Sequence, residues 1–157
     1  MIRGFFNLLA KMGLSVRDDP PKVVDLSLCV FGETQDGLAL SIRQIPRDDR
    51  DALASVSVVI RNVGQEARRF FIPGWLAFYQ FEVRLPSGAP ATLTPFGRAL
   101  ANPARKLERL EVALAPGALH ETEVPLGSVF NVRAGVVMAG CRPFEGVVLQ
   151  SNEIVIG

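Results

Sequence analysis

The stretch that decides the fold is Ala54-Ser55-Val56-Ser57-Val58-Val59-Ile60-Arg61, closed by Asn62-Val63-Gly64. Ala54, Val56, Val58 and Ile60 fall on one parity, and Ser55, Ser57 and Arg61 on the other. A period of two is the mark of a strand with one face buried, and asparagine and glycine favour a turn after it. The same alternation recurs downstream in Tyr79, Phe81, Val83 and Leu85, stopped by Pro86-Ser87-Gly88, and in Leu110, Val112 and Leu114, stopped by Pro116-Gly117. It recurs upstream in Leu38, Leu40 and Ile42, and in Val24, Leu26, Leu28 and Val30. These last two runs read as a hairpin across the polar segment 32–37. Phe70, Phe71 and Ile72 form a short core strand that Pro73-Gly74 ends, and residues 121–124, 135–139 and 146–156 supply the remaining strands. Residues 89–106 are irregular, and Pro103 interrupts any helix over 98–110.

Turn signals every eight to fifteen residues predict an all-β chain, an antiparallel two-sheet β-sandwich of the immunoglobulin-like kind. No long amphipathic helix is present to carry parallel crossovers. A chain of 157 residues suits one such domain, and 14 glycines with 11 prolines suit many turns. The domain is expected over residues 21–157, after a break at Asp18-Asp19-Pro20-Pro21. Residues 1–20 form an N-terminal extension. Its Ile2, Phe5, Phe6, Leu9 and Met12 follow the i, i+3, i+4, i+7 spacing of a short helical docking face, on the domain, a partner or a membrane surface. The apolar run there is too short for a signal peptide, and Lys11 interrupts it. No stretch approaches the roughly twenty apolar residues of a membrane span.

Composition and motifs exclude several functions. Seventeen basic and sixteen acidic residues leave a net charge of +1, with no basic face for nucleic acid. His120 is the sole histidine, follows a Pro-Gly turn and is expected in solvent at a strand start, without a partner to tune it as a base. No serine occupies a G-x-S-x-G elbow, and no glycine-rich phosphate loop occurs. Cys29 and Cys141 read as two small buried thiols, with a bond across a sandwich as the alternative. Asp48, Asp49 and Asp51 are the densest carboxylate group. Arg47 and Arg50 are interleaved, and the D-x-D-x-D-G spacing is missing, so a solvated loop outweighs a calcium site. No cofactor is implied.

The strongest surface candidate is Arg68-Arg69-Phe70-Phe71-Ile72-Pro73-Gly74-Trp75. Basic residues beside aromatics grip partners or stack on sugars, which singles out Arg68, Arg69, Phe71 and Trp75. Against this, a sandwich commonly buries a tryptophan between its sheets.

Several of these segments have a familiar order. Arg61-Asn62-Val63-Gly64, Tyr79-Gln80-Phe81-Glu82-Val83, Leu93-Thr94-Pro95-Phe96-Gly97 and Ala115-Pro116-Gly117 come first. Pro125-Leu126, Val129-Phe130-Asn131 and Ser151-Asn152-Glu153-Ile154-Val155-Ile156 follow. Over about residues 50–157 the chain resembles uncharacterised bacterial immunoglobulin-like domains, often found in secreted or envelope proteins. Those domains usually carry Pro-Gly-x-Tyr where the penultimate strand begins, and this chain has Arg133-Ala134-Gly135-Val136-Val137 there, without the proline and the tyrosine. The resemblance implies a fold and an envelope or exported setting, whereas the lack of a clear signal sequence points to the cytoplasm. It implies no reaction. The sequence reading is therefore a non-catalytic interaction or structural module with a protein partner. The alternatives are a carbohydrate-binding module using Trp75, or an enzyme inhibitor inserting loop 46–52 or 86–98.

Overall fold

In a computed structural model, which describes residues 24–49, 52–104 and 109–157, the chain is all-β and antiparallel with a few short helices. The deciding stretch is β2 (Val56–Asn62), flanked by β1 (Leu38–Gln44) and β6 (Leu119–Val124) in one sheet. A second sheet holds β4 (Tyr79–Arg84), β7 (Gly135–Phe144) and β8 (Val147–Gln150). The short β9 (Ile154–Ile156) continues along the edge of β7. A two-stranded ribbon pairs β3 (Arg68–Ile72) with β5 (Leu110–Leu114).

One hydrophobic cluster joins all three. Leu40, Val58 and Ile60 meet Tyr79, Val137, Cys141 and Leu149, with Phe70, Val112 and Leu114 from the ribbon. Burial of this apolar surface is what holds the sheets together, at roughly 25 cal/mol per Å2 removed from water. The opposite side of β1 and β2 is withdrawn from water too, where Ala39, Ser41, Ser57 and Val59 are about 1% exposed. Alternation there separates a face of mixed small side chains from a face of large apolar ones, not solvent from core. Ser57 donates to Glu121 at 2.6 Å, and Arg43 lies 3.9 Å from the same carboxylate.

The first expected strand is not a strand. Residues 26–28 form a 3-10 turn, with Leu28 58% and Val30 63% exposed. Asp25 accepts from both the backbone N–H and the hydroxyl of Ser27, and this local cap outcompetes a ladder. Nor does β1 form a hairpin with that segment. It pairs β2 in register from Leu38 opposite Asn62 to Gln44 opposite Val56. The free edge of β1 is covered by a bridge from Phe31 to Ser41 and by Asn152. The Asn152 side chain accepts from Ile42 N–H (2.9 Å) and donates to Ile42 C=O (3.0 Å). An exposed edge would invite foreign strands, and these contacts close it.

Three short helices lay beyond the sequence reading: α1 (Trp75–Phe78), α2 (Pro95–Ala101) and α3 (Leu126–Val129). α2 begins before the stretch considered for a helix and ends before Pro103. Thr94 caps it by accepting from Gly97 N–H at 3.0 Å, and Pro95 occupies the first turn, where a missing N–H costs nothing. A Cβ at Gly97 would lie 2.2 Å from the Val129 carbonyl, so glycine alone lets α2 approach α3. The turn Ala115-Pro116-Gly117 joins β5 to β6 through Ala118 N–H to Ala115 C=O, and the positive φ of Gly117 (82°) suits glycine there.

Candidate functional site

The predicted aromatic–basic stretch divides by strand parity. In β3, Phe70 and Ile72 turn to the core, 3% and 5% exposed, while Arg69 and Phe71 share the outer face, with Phe71 43% exposed. Phe70 stacks on Phe78 of α1 with centroids 5.9 Å apart, which fixes the strand against the helix that follows it. Phe71 faces Glu111 across the ribbon, and Arg69 ties up that carboxylate at 3.1 Å.

Above Phe71 lies Arg109, its guanidinium carbon 4.3 Å from the ring centroid, a cation–π contact. Together with Pro73, Ala77, Phe78, Gln80 and Arg142 these two residues line an open groove of about 390 Å3. The buried Phe78 is part of its lining, and among the described residues that line it none is acidic. Arg43, Arg68, Arg69 and Arg84 each sit against a carboxylate. Among the described residues Arg109 and Arg142 have no such partner, as is also true of Arg47, Arg61, Arg98 and Arg133, but these two share the groove beside an exposed ring.

The other two predicted residues are elsewhere. Arg68 is held by Asp36 at 2.9 Å and Glu66 at 3.2 Å, at the far end of β3. Trp75 is half-buried in α1, packed against the core cluster, with its ring in a T-shaped contact with Phe81 at 6.4 Å. So the structure brings Arg69 and Phe71 together and adds Arg109, Arg142, Ala77 and Gln80. Ala77 and Gln80 follow β3 closely in the chain, whereas Arg109 and Arg142 arrive only through the pairing of β3 with β5 and of β4 with β7.

The remaining candidates offer no reactive geometry. His120 is a correction: it lies half-buried on the core-facing parity of β6, opposite Ile60, and its Nε2 is 3.4 Å from the Thr122 hydroxyl. Burial lowers its pKa, partly offset by the neighbouring Glu121. Tyr79 is fully buried, and that burial drives its phenol well above the usual range. Cys141 is buried with its thiol pushed up to about 12, while Cys29 is half-buried, and both are free. A thiol so raised is a poor nucleophile. Asp48 and Asp49 are exposed in the loop after β1, where Arg47 donates to Ala52 C=O at 2.8 Å; Asp51 lies outside the described residues. Among the described residues no group of three or more metal-ligating side chains converges, and no helix is long and apolar enough to cross a membrane. The docking face of Phe5, Phe6, Leu9 and Met12 lies outside the described residues.

No family model matches the chain, and no curated protein matches it. Among solved structures it is similar to a beta-D-glucoside glucohydrolase from Trichoderma reesei, at 14% identity and a TM-score of 0.30. The likeness covers 97% of this chain and 22% of that one, so the chain spans about a fifth of its neighbour. So distant a likeness assigns neither fold nor activity.

Proposed function

We propose that the chain is a non-catalytic interaction module of the immunoglobulin-like type whose partner, a protein, docks in the Phe71 groove. The observation that carries this reading is an exposed aromatic ring under an arginine, in a groove with a second arginine and, among the described residues that line it, no carboxylate. Interface hot spots are enriched in arginine and in large aromatic side chains such as tryptophan and tyrosine, and a few such residues carry most of the binding energy. The strand order supports the architecture. β1-β2-β6 and β4-β7-β8 follow the A-B-E and C-F-G order of such sandwiches, with β3 and β5 as an added ribbon.

The resembling motifs also have backbone tasks. Asn62 binds carbonyls, Thr94 caps α2, and Ser151 and Asn152 fasten strand edges. That suits a family whose shared residues build a scaffold and leave the partner to variable surfaces. The carbohydrate reading rests on Trp75, which is half-buried against the core and is not among the residues that line the Phe71 groove. The inhibitor reading finds no projecting arm over much of 86–98, since Ala91 N–H bonds Val83 C=O and Thr94 N–H bonds Val129 C=O.

Selection of a displayed random-peptide library on the full chain tests the proposal. Enriched peptides that lose roughly tenfold or more in affinity for Phe71→Ala support it. Enrichment indifferent to Phe71, or none, overturns it. A glycan array in parallel reads the competing class, and sugar binding that depends on Phe71 would reassign the site.

A further inference from the structure

Taking the groove as a docking site, we infer that its occupant is an acidic peptide segment carrying at least one apolar side chain. Charge decides the first half. Glu111, the carboxylate opposite Phe71, is neutralised by Arg69, so it does not compensate the guanidinium groups of the groove. Arg109 spends one face on the Phe71 ring, which leaves its N–H groups free to donate, and Arg142 has no carboxylate of its own among the described residues. Guanidinium groups in that state recognise carboxylates through paired, charge-assisted hydrogen bonds.

Shape and composition decide the second half. Phe71, Pro73, Ala77 and the buried Phe78 give the groove an apolar floor, and Gln80 adds one neutral polar group. A volume of about 390 Å3 accepts a few side chains, not a folded domain. A nucleic acid would ask for a longer basic track than two arginines on a chain of net charge +1. An acidic sugar would ask for a broader aromatic platform than Phe71 alone offers.

Short synthetic peptides of one length, built on a sequence selected from the library, test the inference by fluorescence anisotropy. One version carries Asp and Glu around a central Phe, one carries Asn and Gln instead, and one carries Lys. The acidic version should bind the full chain roughly tenfold or more tighter than its amide counterpart, and less tightly as salt is raised. Arg109→Glu combined with Arg142→Glu should abolish that preference and favour the Lys peptide. Both side chains are exposed, so the variant should melt with the wild type, and a melt confirms that it is folded.

Equal binding of the amide peptide, still dependent on Phe71, overturns the acidic occupant and leaves the groove as a docking site. Binding of no peptide overturns both. Tighter binding of a single-stranded oligonucleotide or an oligouronate through the same two arginines overturns the peptide class.

Discussion

The β3–β5 ribbon has two ends, and they handle polar groups in opposite ways. At the end where Arg68 faces Leu114, Asn62 is fully buried, donates to the carbonyls of Glu66 (2.7 Å) and Leu114 (2.9 Å), and accepts from Gly64 N–H (3.0 Å). Arg68 beside it is braced by Asp36 and Glu66. At the end where Ile72 faces Leu110, the arginines Arg109 and Arg142 are exposed and, among the described residues, without carboxylate partners, beside Phe71 and Phe78. A polar side chain whose hydrogen bonds are complete is a structural part. A charge without a carboxylate beside an exposed aromatic ring has no such structural task, and its end of the ribbon is the one to which the docking proposal applies.

The hardest test of that division is Asn62→Leu. The substitution keeps the branched shape at Cγ but strands two carbonyls and an amide N–H, each costing about 1–3 kcal/mol when buried and unmet. Water reaches the groups nearer the surface, so a loss of about 3 kcal/mol is expected in urea denaturation. Unchanged stability would mean that Asn62 is not the anchor of this end. Asn152→Ala should cost less, about 1–2 kcal/mol, since it frees one N–H and one C=O of Ile42 at a sheet edge where water can compensate. Neither change should alter the affinity of the groove for a peptide, provided the measurement is made where the variant is folded.

Asn62 and Asn152 also show what a single sequence makes legible. Both belong to segments that the resemblance picked out, but sequence could mark Asn62 only as a turn residue. That it reaches Leu114 depends on β5 arriving from a distant part of the chain. The strands read well wherever alternation met a real partner, as in β2, β4 and β5. They failed at residues 24–30, because the same alternation carries no information about whether an edge is vacant, and Asp25 offered Ser27 a local bond first. The candidate site was half legible for a related reason. Phe71 and Arg69 announce themselves by composition, whereas Arg109 and Arg142 are ordinary surface arginines until the fold sets them beside Phe71.

A third test concerns β6, which follows β5 through the Pro116-Gly117 turn. His120 is held below its ordinary pKa by burial, so the unfolded chain binds the proton first as pH falls. Stability from this group is therefore constant above about pH 6.5 and is lost as pH drops through that value towards the folded-state pKa. Denaturation midpoints at pH 7.5 and 5.5 should differ more in the wild type than in His120→Gln, which cannot titrate. Equal differences would place His120 in water, as its position after a turn suggests from sequence alone.

The smallest change in stability should come from the residue that matters most to the groove. Phe71 is 43% exposed and its ring packs outward under Arg109, so Phe71→Ala removes little core contact. A shift within about 0.5 kcal/mol is expected, as for surface substitutions away from caps and cores. Phe70→Ala, one position along the same strand, removes a ring stacked on Phe78 and edge-packed on Phe144, and should cost about 3–5 kcal/mol. The pair separates the two roles that the sequence ran together in one aromatic stretch. If Phe71→Ala destabilises the chain as Phe70→Ala does, the ring is part of the scaffold and its exposure is incidental. If stability holds while the groove loses its peptide, the ring has been kept at the surface against the hydrophobic cost of leaving it there, and a partner is the physical reason.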